Sequence, residues 1–151
     1  MKLLIQLVSQ ASVEIDDNIN GSIEKGYLVL FGSCESDNQE IADKMLKKLI
    51  NLRIFKDSEG KTNLSIQDVK GDLLIVSQFT LYADCRKGNR PSFIKAGDPE
   101  HAKEMYEYFI KKARTDYGMH VETGEFGADM KVSLCNDGPF TVMLDSDEIV
   151  K

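Results

Sequence analysis

The sequence predicts a single α+β domain, residues 1–151, on a mostly antiparallel sheet with two main helices. Short apolar runs of strand length recur along the chain, and several of them alternate with polar residues. Two longer segments instead carry apolar residues at helical spacing. These segments follow one another in the order strands, helix, strands, helix, strands, which is typical of an α+β domain.

The first segments of the chain predict strands. Residues 13–15 alternate apolar and polar side chains, and residues 3–7 place Leu3, Ile5 and Leu7 on one face, as strands do. Asn20-Gly21 predicts a tight turn before a further short strand. The continuous apolar run 27–31 predicts a buried central strand that ends at Gly32.

The first helix is predicted where polar capping residues precede an apolar stripe. Ser36 with Gln39, or Asp37 with Glu40, has the spacing of a capping box. The residues of the stripe follow at helical spacing and are predicted to be core side chains rather than part of a cofactor site. They are Ile41, Met45, Leu46, Leu49 and Ile50.

The stretch 72–84, DLLIVSQFTLYAD, is the most informative part of the chain. Its apolar start, residues 73–76, predicts a strand that is covered on both faces. Ser77, Gln78 and Thr80 follow at the end of this strand, and a buried polar group without a partner costs about 1–3 kcal/mol. Either neighbouring backbone or a bound ligand must therefore satisfy these side chains.

Asp98-Pro99 predicts the start of the second helix, with Asp98 as the N-cap and Pro99 in the first helical position. One apolar stripe continues from there and predicts the face that packs on the core. It consists of Ala102, Met105, Tyr106, Phe109, Ile110 and Ala113.

The last segments predict two strands, residues 130–135 and 140–144, joined by residues 136–139. The Asp-Gly pair in this connection predicts a hairpin turn. Pro139 is unusual there, because it lacks the N–H group that strand pairing needs and permits a cis peptide bond.

Charge is unevenly distributed along the chain. The net charge is −6, which disfavours a nucleic-acid binder with a broadly basic surface. Residues 85–97 nevertheless contain Arg86, Lys87, Arg90 and Lys95 and no acid. A basic patch on an acidic chain suits a partner that is held at one phosphate-bearing end, and the alternative is a solvated basic loop.

Several classes of site are excluded by what the sequence contains. Cys34, Cys85 and Cys135 are odd in number and widely spaced, and only two histidines accompany them, so we expect neither a disulfide framework nor a metal site. No apolar run approaches the roughly 20 residues of a membrane span, and no secretory signal is recognisable. We therefore expect a cytoplasmic protein that does not contact membranes.

No familiar catalytic motif is present either. Ser77, Thr80 and Cys85 are candidate nucleophiles, but no histidine lies beside them in a recognisable motif. Asp84 and Asp129 are interpreted as surface acids rather than as a catalytic pair. The residues alone thus predict a polar strand end, a basic loop and a Gly-Pro connection, without an obvious side-chain catalyst.

Four motifs give the chain a resemblance to the D-aminoacyl-tRNA deacylases. They are SQFTLYAD at 77–84, RKGNRPSF at 86–93, VETGEFGADMKVSL at 121–134 and NDGPFT at 136–141. The resemblance implies hydrolysis of the ester that joins a D-amino acid, or glycine, to the 3′-terminal adenosine of tRNA. It also implies a barrel-like homodimer with the active site at the subunit interface, and neither a metal nor an organic cofactor.

The resemblance assigns roles to particular residues. Ser77, Gln78, Phe79 and Thr80 would form the catalytic pocket wall, with backbone groups around Phe79 holding the aminoacyl end. Thr80 is one candidate nucleophile and the ribose 2′-hydroxyl is the competing activator. We favour the 2′-hydroxyl, because no base is placed by motif to activate Thr80.

Gly138-Pro139 would be the chirality filter, a cis dipeptide inserted into the partner subunit's pocket. Arg86, Lys87 and Arg90 would contact tRNA phosphates.

One position departs from the family pattern. Members usually carry an arginine after the glutamine of the first strand, where it helps to hold the Gly-Pro motif, and this chain has Leu7. The alternative to an enzyme is a non-catalytic module of the same fold that only binds the tRNA acceptor end.

Overall fold

The computed structural model describes residues 1–150 and contains eight strands, three α-helices and one 3-10 helix in that part of the chain. The helices are α1 Gln39–Asn51, the 3-10 helix Phe79–Tyr82, α2 Pro99–Tyr117 and α3 Ser146–Ile149. The strands are β1 Lys2–Ile15, β2 Asn18–Ile23, β3 Gly26–Gly32, β4 Phe55–Lys56, β5 Thr62–Leu64, β6 Asp72–Ser77, β7 Val121–Thr123 and β8 Lys131–Asp145.

The main sheet is barrel-like. Its strands follow the order β2, β1, β3, β6, β7, and β8 pairs with the other edge of β1. The first and last strands of this order meet where the side-chain amide of Asn20 donates to the backbone oxygen of Thr123 over 2.7 Å. The predicted α+β class with a mostly antiparallel, barrel-like sheet is confirmed, although β6 runs parallel to both of its neighbours.

Strand β6 is buried on both faces, as predicted. Leu73 and Ile75 pack in the cluster that includes α1 and α2, whereas Leu74 and Val76 pack in a second cluster on the opposite face of the sheet. None of the four is more than 2% exposed. Because both faces need apolar side chains, the segment shows no alternation with polar residues.

The two main helices use the predicted apolar faces. Every residue of the α2 stripe is buried, and Asp98 caps the helix through hydrogen bonds from the N–H groups of Glu100 and His101. In α1 the stripe is also correct, but the N-cap is Asn38, whose side chain accepts from the N–H of Ile41. The capping boxes predicted from Ser36 and Asp37 are therefore wrong.

The predicted break between the first two strands is also wrong. Residues 3–7 and 13–15 belong to the single long strand β1, and the reversal into β2 occurs at Asp16 and Asp17, which have φ angles of 50° and 63°. Asn20-Gly21 instead lies inside β2. A Cβ atom at Gly21 would stand 2.8 Å from the Thr123 oxygen, so this glycine permits the close approach of β7.

The last two predicted strands are parts of one strand, β8. The segments on either side of residues 136–139 both pair antiparallel with β1, so this connection is not a hairpin. Gln6 pairs with Thr141 and Val8 with Asn136, which leaves extra residues on β8 at this point. Gly138-Pro139 therefore protrudes from a continuous strand as a bulge. Its peptide bond is cis, as predicted.

Within residues 1–150, no helix has the length and apolar character needed to cross a membrane.

Candidate active site

A cleft of about 300 Å³ opens where β6 ends. One wall comes from the end of this strand and the start of the 3-10 helix, and the other from the loop that leads into β8. The lining residues are Phe31, Ser33, Val76, Ser77, Gln78, Phe79, Ala102, Phe126, Gly127, Ala128, Asp129, Met130 and Val132.

The end of β6 is fixed by backbone hydrogen bonds. The N–H of Gln78 donates to the Phe31 oxygen over 2.7 Å, and the N–H of Leu81 donates to the Gln78 oxygen over 3.3 Å. The first N–H groups of a helical turn have no acceptor within that turn, and no side chain caps this one. The N–H groups of Phe79, which lines the cleft, and of the following residue Thr80 are therefore available to a ligand.

The polar side chains at this strand end bind each other rather than a base. The Gln78 side-chain amide donates to the hydroxyl oxygen of Thr80, which is exposed. Ser77 is half-buried and lines the cleft. Neither a histidine nor a lysine lines the cleft, and Thr80 itself is not among the lining residues. The cleft therefore offers no neutral imidazole or amine as a general base.

A buried tyrosine supports the cleft from beneath. The hydroxyl of Tyr106 donates to the backbone oxygen of Ile75 over 2.7 Å, and its ring packs against Phe126 at a centroid distance of 6.0 Å. Burial raises the pKa of Tyr106 to about 12. The tyrosine therefore remains a neutral donor at physiological pH and ties α2 to both walls of the cleft.

Sequence reasoning missed Asp129 as a member of this site. The residue lines the cleft, whereas Asp84, its partner in the rejected carboxylate pair, binds Arg86 in the basic loop. No local pattern distinguishes Asp129 from the other acids, because its position depends on how residues 124–130 turn beside β6. Asp129 is exposed, as its interpretation as a surface acid expects, and it also contributes to the lining of the cleft.

The basic residues 86–95 lie in the loop that follows the 3-10 helix. Arg86 donates to both carboxylate oxygens of Asp84, at 2.6 to 3.1 Å, and this pairing lowers the pKa of Asp84. Lys87 and Arg90 form no ion pair within residues 1–150. The loop reaches the cleft through Phe93, whose ring meets that of Phe79 edge-on at 5.1 Å.

The protruding Gly138-Pro139 bulge is exposed and does not line the cleft of its own chain. Asn136 holds it from within: its side-chain oxygen accepts from the N–H of Phe140 over 3.0 Å, and its amide donates to the Thr141 hydroxyl over 2.9 Å. Gly138 has a φ angle of 141°, which favours glycine.

Leu7, where the resemblance implies an arginine, is buried in the core beneath the bulge strand. Its side chain can offer the bulge no hydrogen bond.

Among residues 1–150, no three side chains of the histidine, cysteine or acidic types are grouped as metal ligands would be.

The chain is similar to known proteins along nearly its whole length. The family model for D-Tyr-tRNA(Tyr) deacylase matches residues 4–145. A D-aminoacyl-tRNA deacylase of Thermosipho melanesiensis is 53% identical over 149 residues, which cover 99% of both chains. One from Flavobacterium psychrophilum is 54% identical over 146 residues, which cover 97% of both.

Two solved structures share the fold. One, described as a c-Myc DNA unwinding element binding protein, is 38% identical with a TM-score of 0.91, and the match covers 96% of this chain and 98% of the other. The other, described as a probable eukaryotic D-amino acid tRNA deacylase, is 20% identical with a TM-score of 0.81 over 95% and 97% of the two chains. At more than half identity to such relatives over almost its entire length, the chain belongs to the D-aminoacyl-tRNA deacylase family.

Proposed function

We propose that this protein hydrolyses D-aminoacyl-tRNA. Water adds to the ester carbonyl, the bond to the ribose oxygen breaks, and a free D-amino acid and tRNA with an intact 3′ end are released. The observation that carries this proposal is the cleft at the end of β6, which combines uncapped backbone N–H donors with neutral polar side chains. Such donors suit an ester oxygen that gains negative charge during the reaction.

The backbone is the main catalytic element in this proposal. The N–H groups of Phe79 and Thr80 bind the developing oxyanion, and each donor of this kind contributes about 2.7–4 kcal/mol to transition-state stabilisation. Gln78 donates to the Thr80 oxygen, which makes that oxygen a poorer nucleophile. The ribose 2′-hydroxyl of the substrate therefore assists the attacking water, and Ser77 completes the polar wall.

The active unit is a homodimer in this proposal. Gly138-Pro139 protrudes from β8 and does not line the cleft of its own chain, so it can act only on the cleft of a second copy. Large apolar side chains on the same strand support such contact, because Leu134 is 38% and Met143 is 47% exposed. The carbonyl groups of the partner's bulge would then clash with an L side chain and leave room for a D side chain.

Glycyl-tRNA is proposed as a further substrate. A filter that works by steric exclusion of an L side chain has nothing to exclude in glycine, which has no side chain. The protein should therefore hydrolyse glycyl-tRNA as well as D-aminoacyl-tRNA.

The basic loop is proposed to hold the tRNA end. Lys87 and Arg90 are free of ion pairs within residues 1–150, and the contact of Phe93 with Phe79 joins their loop to the cleft. Arg86 keeps an exposed guanidinium although it pairs with Asp84. We place the reaction in the cytoplasm, where charged tRNA is found.

Deacylation of three esters by the purified full-length chain tests this function. Catalytic amounts of protein should hydrolyse D-tyrosyl-tRNA and glycyl-tRNA over many turnovers and leave L-tyrosyl-tRNA intact. Tight tRNA binding without turnover would instead indicate a non-catalytic module that binds the acceptor end. Hydrolysis of D- and L-tyrosyl-tRNA at equal rates would contradict the proposed filter.

A further inference from the structure

Tyr106 lies where the two walls of the cleft separate. Strands β6 and β7 pair in parallel as far as Ile75 and Thr123, which form the last pair of this ladder. Beyond that pair, β6 continues into one wall of the cleft, and the chain after β7 forms the other. The Tyr106 hydroxyl donates to the Ile75 oxygen over 2.7 Å, so it binds the backbone at the last pair of the ladder.

The Tyr106 side chain also contacts residues that line the cleft. Its ring packs against Phe31 at a centroid distance of 5.7 Å and against Phe126, in the wall before β8, at 6.0 Å. Burial raises the pKa of Tyr106 to about 12, and a hydrogen bond from the Gly124 backbone opposes that rise. The hydroxyl therefore meets the backbone on both sides of the separation, in β6 and directly after β7.

The backbone connection from Tyr106 to the proposed oxyanion donors is short. Only two residues lie between Ile75 and Gln78, whose N–H donates to the Phe31 oxygen over 2.7 Å, and Phe79 follows directly. A buried carbonyl oxygen without a donor is destabilising, so β6 would shift toward another partner if the hydroxyl were absent. Such a shift would move the N–H of Phe79 as well.

We propose that the Tyr106 hydroxyl is a positioning group that fixes the separation of the two cleft walls and, with it, the place of the Phe79 N–H beside the bound ester. This inference rests on the proposed function, in which that N–H binds the developing oxyanion. Tyr106 does not line the cleft, so it acts through the backbone and not on the substrate. An oxyanion contact is made only in the transition state, so its loss lowers kcat and leaves KM nearly unchanged.

The test removes this hydroxyl and keeps the ring. Tyr106→Phe should lower kcat on D-tyrosyl-tRNA by about 10- to 100-fold at nearly constant KM, because a group displaced by about 1 Å can lose that much rate. Tyr27→Phe is the matched control and should keep the wild-type kcat. Tyr27 is also buried, and its hydroxyl donates to a backbone oxygen away from the cleft, that of Leu52, over 3.5 Å.

Amide NMR gives a second readout that does not depend on catalysis. In nitrogen-15 spectra of the full-length protein, Tyr106→Phe should shift the signals of Phe79 and Ala128, one in each wall of the cleft. Tyr27→Phe should leave both signals in place. Thermal unfolding of the two variants measures the stability that each has lost, so that kcat is compared where both are folded.

The possible failures are distinguishable. A wild-type kcat in Tyr106→Phe, a loss confined to KM, or equal losses of kcat in Tyr106→Phe and Tyr27→Phe would refute the positioning role and leave the deacylase function standing. Unmoved amide signals in Tyr106→Phe would refute it as well, whatever the kinetics. A wild-type protein that does not hydrolyse D-tyrosyl-tRNA would refute the proposed function and this inference together.

Discussion

The α-amino group of Met1 lies 2.6 Å from the carboxylate of Asp37, and both groups are buried. The same amine donates to the Ser146 hydroxyl over 2.6 Å. The second carboxylate oxygen of Asp37 accepts from the N–H of Cys34 and the hydroxyl of Ser33. The Asp37 side chain therefore connects the start of the chain to the loop before α1. Ser146 connects the same amine to the start of α3.

We expect Asp37→Asn to lower the free energy of unfolding by about 3–5 kcal/mol, because it leaves a buried ammonium group without its counter-ion. Urea denaturation measures this loss. Asp43→Asn is the matched control: its carboxylate is exposed and lies 4.0 Å from Lys112, so it should cost less than about 1 kcal/mol. Equal effects of the two substitutions would contradict the buried ion pair.

Thr80→Ala should keep kcat on D-tyrosyl-tRNA within about tenfold of wild type, because the hydroxyl oxygen already accepts from Gln78 and no histidine or lysine lines the neighbouring cleft. Single-turnover deacylation with saturating enzyme measures the chemical step. A loss of several orders of magnitude at unchanged tRNA affinity would identify Thr80 as the nucleophile.

The backbone at Phe79 should matter more than the Thr80 side chain. Phe79→Pro removes one N–H donor and should lower kcat by a further factor of about 100 to 1,000 relative to Phe79→Ala, which loses the same ring but keeps the N–H. Matching thermal unfolding curves for the two variants would show that the comparison reports on the donor. Similar kcat values in both would argue against an oxyanion site at this position.

Neutralising Lys87 and Arg90 together should weaken tRNA binding and flatten its dependence on salt. The slope of log K against log salt concentration should fall by roughly 0.7–0.9 for each lost phosphate contact. Titrations of tRNA at several salt concentrations measure this slope. Lys48→Gln, on the exposed side of α1, should leave it unchanged. A double variant with the wild-type slope would indicate a solvated loop.

The Asp84 carboxyl should titrate below the ordinary aspartate pKa of about 3.9, because the Arg86 guanidinium donates to its charged form. A depressed pKa means that this pairing contributes to loop stability at higher pH and loses its contribution as pH falls through the native pKa. Carbon-13 NMR of the carboxyl measures the titration. Arg86→Gln should move the pKa upward, whereas Lys87→Gln should leave it nearly unchanged.

Local patterns predicted the elements whose causes are local. The continuous apolar run 73–76 lies in β6, as predicted, because a strand buried on both faces needs apolar side chains at every position. Asp98 and Pro99 begin α2, as predicted, because helix capping depends on residues that are close in sequence. Asp37 has equally good capping spacing. Its carboxylate instead binds the α-amino group of Met1, 36 positions away, and Asn38 caps the helix.

Long-range pairing explains the remaining errors. The Asp-Gly sequence at 137–138 predicts a hairpin, but β1 is long enough to pair with the segments on both sides of it, so the turn residues protrude as a bulge. The location of Asp129 likewise depends on a loop that crosses from β7 to β8. The resemblance of motifs identified the Ser77–Thr80 stretch and the Gly-Pro pair. The cleft between the end of β6 and the loop before β8 could not be predicted from the sequence, because its two walls come together only in the folded chain.

Asn136→Ala should reduce the preference for D- over L-tyrosyl-tRNA before it reduces activity. Leu7 offers the bulge no hydrogen bond, so Asn136 is left to tie its two ends through Phe140 and Thr141, each bond contributing about 1 kcal/mol. A looser bulge would admit an L side chain, so the ratio of the two kcat/KM values should fall by about tenfold. Ser133→Ala on the same strand is the control. A fall in activity on D-tyrosyl-tRNA at constant selectivity would mean that the bulge supports the dimer rather than the choice of configuration.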